Sequence, residues 1–282
     1  MLAENNYGKS GIRLVKVVRR EGRHDLRDLT VAVRFEGEFA DAHARGDNAA
    51  VLPTDTMKNT VYALAKDRLE GSIESFGLAL CAHFLEASPA ASKVTVKIAE
   101  HSWQRLLAAG AAHPHAFVRG GAEQRLAEAS RSRDGTLVEA GIEGMTILKS
   151  GSSGFEGFLK DRYTTLPEVR DRIFATVVQA RWTYSPDSSA SLDFDRSFER
   201  TRQVMLETFA VHESASVQHT LYAMGEAALA AVPEITAIRL SLPNKHHLLV
   251  DLSRFGLENN NEIFVATDEP FGLIEATIRR QR

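Results

Sequence analysis

A single cysteine, Cys81, stands in the 282 residues, so no disulfide can close within the chain. That excludes a disulfide-stapled scaffold and fits a reducing compartment. An excess of one charge is missing too. The 34 Lys and Arg against 37 Asp and Glu leave a net charge of -3, which gives no global drive toward nucleic acid or an anionic membrane. No apolar run approaches transmembrane length, and the opening MLAENNYGKSGIRL lacks the apolar centre of a signal peptide. The ending Arg-Arg-Gln-Arg is not the peroxisomal Ser-Lys-Leu. A cytoplasmic location is the expectation. There is no His-Glu-x-x-His, no paired-cysteine motif and no GxGxxG-type loop, so nothing announces a zinc site or a dinucleotide. His113 and His115 have no carboxylate partners nearby in sequence. His246 and His247 are adjacent, and on a strand they would face opposite ways.

What is present describes a soluble globular protein, with 44% hydrophobic and 25% charged residues. The length suits one large domain or two ordinary ones. Period-two alternation in GIRLVKVVRR and DLTVAVRFEGEF, split by EGRH, predicts a hairpin. Thr54-Asp55-Thr56 reads as a helix start, with Asp55 the convenient cap. Helices are expected over Met57 to Lys66 and Gly71 to Leu85, with a break at Gly71 and Ser72. The second of these places Cys81 in an apolar pattern, where it reads as a packing thiol. Strands follow at KVTVKIAEHSW and near Ala116 to Arg119.

The same order returns in the second half. Thr136 to Lys149 and Ile173 to Tyr184 read as strands, and helical patterns run from Leu192 to Phe209 and from Ala215 to Ala231. EITAIRLSLP and HHLLVDLS then close the chain as strands. Two repeats, 1–135 and 136–282, are the simplest account. The fold class is α+β, with antiparallel sheets carrying helices on one face. Such sheets leave edges and a second face without partners, so assembly into an oligomer is expected.

Between the two strands that open the second half lies GFEGFLKDRYTTLPEVRDR, which fits neither period and carries aromatic residues with three arginines. A flat anionic ligand would want both. With YGKSGIRL, TDTMKNTVYALAK, SVQHTLYAMGEAAL and SLPNKHHLLVDLS in the same order, this stretch resembles the urate oxidase (uricase) family of the tunnelling-fold (T-fold) group. The resemblance spans nearly the whole chain. It implies tandem T-fold repeats whose barrel is completed in a dihedral homotetramer, with active sites shared between subunits. It implies oxidation of urate by dioxygen and water to 5-hydroxyisourate and hydrogen peroxide, with no metal and no organic cofactor. Nucleic acid and membrane have no place in it.

The resemblance also implies the site residues. Phe155 would stack on the purine, and Arg172 would offer two parallel N–H donors to one ring edge. Gln218, whose amide both donates and accepts, and the Val217 backbone N–H would meet the other edge. Lys9, Thr54 and His246 would relay protons, with Asp55 beside the ligand and Asn244 beside Thr54 holding dioxygen or water. Lys9, Thr54 and Asp55 would come from one subunit and the others from its neighbour. Plainer readings stand beside these: Phe155 as core, Thr54 as helix cap, Asn244 as a turn residue, and Arg162 or Arg170 as the relevant arginine. Two rivals remain. One is another T-fold enzyme acting on a purine or pterin; the other is a silent purine-binding scaffold.

Overall fold

Alternation in the first forty residues gives the expected hairpin, β1 (Asn6–Arg20) antiparallel to β2 (Arg23–Gly37). The computed structural model describes residues 2–187 and 192–281; the last arginine of the Arg-Arg-Gln-Arg ending lies outside them. The chain divides into two compact units. One holds the residues up to Ile142 with Trp182–Phe198, and the other holds Glu143–Arg181 with the residues from Glu199 onward.

In the first unit, Leu29, Val31, Val33 and Phe35 alternate along β2 and are wholly or almost wholly buried. They face two helices. A short helix, α1 (Ala40–Arg45), buries nothing and was not foreseen. α2 (Thr54–Arg68) and α3 (Ile73–Ala87) follow, and Ser72 caps α3 by accepting from the Ser75 N–H, so the predicted break is real. Met57, Val61 and Ala65 from α2 and Phe76, Leu80 and Phe84 from α3 complete this core. Each large side chain so buried contributes about 1.5–3 kcal/mol before entropy is counted. β3 (Ala91–Ala108) and β4 (Ala111–Ser132) complete the strand order β1-β2-β3-β4. β4 is far longer than the Ala116 to Arg119 segment anticipated, running from the exposed Ala111 through the buried Leu126, Ala127 and Ala129 to Ser132.

Cys81 points into this core, its Sγ–H donating to the carbonyls of Val94 and Ala129. Burial pushes its thiol up to about 12. A maleimide at mildly alkaline pH is therefore expected to leave Cys81 unmodified until the protein is unfolded. Rapid labelling of the native protein, followed by mass spectrometry, would contradict a packing role.

The strands expected around the arginine-rich stretch are β5 (Gly135–Lys149) and β6 (Phe174–Tyr184). Two helices follow, α4 (Phe194–Val211) and α5 (Val217–Ala231), the latter capped by Ser216. β7 (Ile235–Lys245) buries Ile238, Leu240 and Leu242, while Leu221, Met224 and Ala228 of α5 are buried in the same unit. HHLLVDLS is corrected here. Only His247–Leu249 is extended, as β8, and it pairs with β9 (Phe264–Ala266) in a separate ribbon. The strand that pairs with β7 is β10 (Gly272–Arg279). Only Ile278 of β10 is buried, so its alternation was too weak to be read. The remaining strands run in the order β5-β6-β7-β10, the first part of β5 and the end of β6 belonging to the first unit and the rest to the second.

Candidate active site

Lys9, Thr54 and Asp55 lie in the first unit. Lys9 sits on β1 just before a register shift between Lys9 and Ile12, where the chain bulges. Its neighbour Gly8 is pressed against β2, for a Cβ there would stand 1.9 Å from the Val33 carbonyl oxygen. No other residue fits. One residue before Gly8, Tyr7 packs edge-on against Phe35 and Phe39, and its phenol oxygen accepts the Leu52 N–H at 2.9 Å. That bond ties β1 to the start of α2. Sequence reading quoted Tyr7 within YGKSGIRL without giving it this task, since the bond is to a backbone group.

The capping assignments change. Pro53, not Asp55, occupies the N-cap of α2, and no side chain caps the helix. Asp55 instead accepts from Lys58 and from Asn59 Nδ2. Lys58 is the main cause of its carboxyl being held below the ordinary value, with a smaller contribution from Lys9. Lys9 and Asp55 are therefore electrostatic neighbours. Thr54, half-buried in the first helical turn, has no hydrogen bond committing its hydroxyl among the described residues.

The second unit holds Phe155, Arg172, Val217, Gln218, Asn244 and His246. Here the loop after β5 is clamped between two others. Phe155 exchanges backbone hydrogen bonds with Val169, at 2.7 and 3.1 Å, and the Arg172 N–H donates to the Ser153 carbonyl at 2.8 Å. On the loop's other side the Gly154 N–H donates to the Ser214 carbonyl at 2.8 Å, and the Ser214 N–H to Ser152 at 2.9 Å. Phe155 is half-buried rather than core. Its ring stacks on Phe158 at 4.8 Å and 11°.

Arg172 crosses that ring, its guanidinium carbon 5.4 Å from the centroid. The other two arginines are engaged elsewhere: Arg170 pairs with Glu156 at 3.0 Å and Arg162 lies over Tyr163 at 4.6 Å. Arg172 has no carboxylate partner among the described residues, and its Nε is buried without an acceptor. Burial alone lowers its pKa, the mark of a cation that nothing nearby compensates. Ser153, 1% exposed, also keeps a hydroxyl without a partner.

Ser214 Oγ–H donates to the Ser216 carbonyl at 3.0 Å, and Ser216 Oγ accepts the His219 N–H at 3.1 Å, opening α5. Val217 and Gln218 are the first two helical residues, whose N–H groups have no intrahelical acceptor. Val217 is buried and the Gln218 side chain is exposed. Asn244 belongs to β7 opposite Gly272, not to a turn after Pro243. His246 falls between β7 and β8, outside either strand, and its carbonyl accepts the Thr267 N–H at 2.9 Å. The bonds above join Phe155, Arg172, Val217 and Gln218; Asn244 and His246 share instead the far end of β7.

Among the described residues, no three His, Cys, Asp or Glu side chains converge where a metal ion could be held. No helix among them is long and apolar enough to cross a membrane.

An α+β chain of antiparallel sheets carries in its second unit an aromatic ring under a half-buried guanidinium that no carboxylate among the described residues offsets, chemistry suited to a flat anion. A sequence model of the family described as Uricase matches residues 5–130 and 138–275. The uricase of Arthrobacter globiformis is 46% identical over 281 residues, covering 100% of this chain and 90% of its own. That of Dictyostelium discoideum is 38% identical over 282 residues, covering 99% and 97%. The crystal structure of the Arthrobacter globiformis uricase superposes with a TM-score of 0.94, covering 100% of this chain and 95% of that one. A uricase structure from Bacillus fastidious, at 21% identity and a TM-score of 0.84, shares the fold. This chain belongs to the uricase family, and its fold is the family's T-fold.

Proposed function

We propose that this chain catalyses the oxidation of urate by dioxygen, with water, to 5-hydroxyisourate and hydrogen peroxide, and that it does so without a metal or organic cofactor. The observation that carries the reading is Arg172, a half-buried guanidinium whose Nε is buried without an acceptor and which lies over the Phe155 ring. Urate is flat, anionic at neutral pH and edged with carbonyl oxygens and ring nitrogens. A guanidinium fork can meet two adjacent acceptors on that edge, and Phe155 can cover a face. The N–H groups at the head of α5 and the Gln218 amide suit the opposite edge.

Binding alone does not oxidise the ring. Two electrons pass to dioxygen, and protons must leave urate and reach the peroxide. In this reading Lys9, Thr54 and His246 move those protons, and Asn244 with Thr54 holds dioxygen or water above the ring. Asp55 lines the site beside them. The uncommitted Thr54 hydroxyl and the proximity of Lys9 to Asp55 support the relay. The relay lysine and threonine lie in one compact unit and the fork in the other. Residues 1–135 and 136–282 are, we infer, two T-fold repeats. The site is completed when one protomer offers Lys9, Thr54 and Asp55 to a neighbour's Phe155, Arg172, Val217, Gln218, Asn244 and His246, within a dihedral homotetramer. A soluble, cytoplasmic enzyme fits this reading.

The test follows urate in air with chelator-treated protein, reading near-ultraviolet absorbance, oxygen uptake and peroxide together. All three should change in step and be indifferent to the chelator. Absorbance loss without oxygen uptake would mean hydrolysis. An unchanged spectrum would mean a silent purine binder.

A further inference from the structure

We infer that Lys149 is a positioning residue for urate binding: its ammonium latches the segment His212–Ser216 to the end of β5, and so holds the loop that carries Phe155. This rests on the function proposed above. Lys149 Nζ donates to the His212 carbonyl and lies 5.5 Å over the Phe209 ring. The carbonyl it takes is just past the last turn of α4, where a cation is favoured by the helix dipole. Two residues further on, Ser214 grips the loop at both Ser152 and Gly154. Two segments thus run side by side, cross-linked at Lys149 with His212 and then at Ser214.

Everything proposed to touch the purine edges hangs from this ladder. On one side of the loop Ser153 fixes the Arg172 backbone, and on the other Ser214 reaches Ser216, which caps α5 ahead of Val217. Among the described residues Lys149 is the only charged side chain that bonds across the two segments, and a hydrogen bond from a charged donor is worth more than a neutral one. Two features show that the loop needs holding. Ser152 sits at φ 55°, a backbone region that non-glycine residues avoid. Gly154 is so close to the loop's other neighbour that a Cβ would meet the carbonyl oxygens of Val169 and Arg170 at 3.1 Å. Remove the latch, and Ser152 has reason to relax, taking Phe155 with it.

The experiment compares Lys149→Met and Lys149→Arg with the wild-type chain. Methionine keeps the aliphatic stem and loses the donor; arginine restores a cationic donor. Urate affinity is measured by titration without oxygen, turnover with it, and backbone hydrogen exchange on the ligand-free protein. Lys149→Met should weaken urate binding by about tenfold or more, the scale of one charge-assisted bond. Its kcat at saturation should stay within about threefold. Exchange should quicken at Gly154 and Arg172 but not in β2 or β3, and Lys149→Arg should recover both. A Lys149→Met protein with wild-type affinity and exchange would overturn the inference, as would exchange raised evenly across the chain. If the wild-type chain itself does not bind urate, the proposed function fails, and the exchange comparison still decides whether Lys149 latches the loop.

Discussion

Lys9→Met is expected to lower turnover by about 10²–10⁴-fold, the range contributed by a positioned proton-transfer group. Urate affinity should change only a few-fold. Methionine preserves the unbranched stem that follows Gly8 on β1 and removes only the amine. Thr54→Ala should have a similar consequence, since its hydroxyl caps nothing and its loss leaves α2 with the same Pro53 start. Both are placed by the same local structure: Gly8 pressed on Val33 fixes the strand, and Tyr7 holds Leu52 two residues ahead of Thr54. Groups that pass a proton in sequence act as a unit, so the double variant should be little slower than the slower single variant. Oxygen uptake at saturating urate gives the turnover, and anaerobic titration gives the affinity. Losses that multiply, or an affinity that falls as far as turnover does, would contradict a shared relay.

Much of this was legible in the residues, for reasons that can be named. The β1–β2 hairpin was readable because Leu29, Val31, Val33 and Phe35 alternate toward one core. Ser72 announced the start of α3 because a side-chain cap is a local bond with a residue-type signature. In the first half of β4 only Ala116 to Arg119 was read, and β10 was missed. Their side chains are mostly exposed, so the period that reports a buried face is weak or missing. The site divides in the same way. The resemblance to the family singled out Phe155, Arg172 and Gln218, which residue type alone would have left as core, surface and helix-start residues, whereas the ladder through Ser152, Ser153, Gly154 and Ser214 is built from backbone groups that leave no trace in the letters. Asp55 was misread as a cap because Thr-Asp-Thr suits a cap whichever member takes it. Its true partners, Lys58 and Asn59, are one turn on and each take one oxygen of the carboxylate. His246 looked like a strand residue because the apolar run after it is continuous, yet the chain leaves the sheet there to form a separate ribbon with β9.

Arg172→Met should weaken urate binding by about 10²–10⁴-fold, with the protein no less stable than before. The first half of that expectation comes from the fork. Two charge-assisted hydrogen bonds at about 1.5–3 kcal/mol each amount to about 3–6 kcal/mol, and each 1.4 kcal/mol is tenfold. The second half comes from the free protein. Burial already opposes the guanidinium charge, Nε has no acceptor, and no carboxylate among the described residues offsets it. A partly desolvated cation with nothing to offset it costs stability, and an apolar replacement of similar length removes the cost. Methionine can also keep contact with the Phe155 ring through its polarisable sulfur. Thermal unfolding of the ligand-free variant should therefore match or exceed the wild type, while urate no longer raises the transition as it does for the parent chain. Arg172→Lys should not restore affinity, because a single ammonium cannot present two parallel donors to adjacent acceptors. Should Arg172→Met bind urate as the wild type does, the guanidinium over Phe155 is ordinary packing and the fork lies elsewhere.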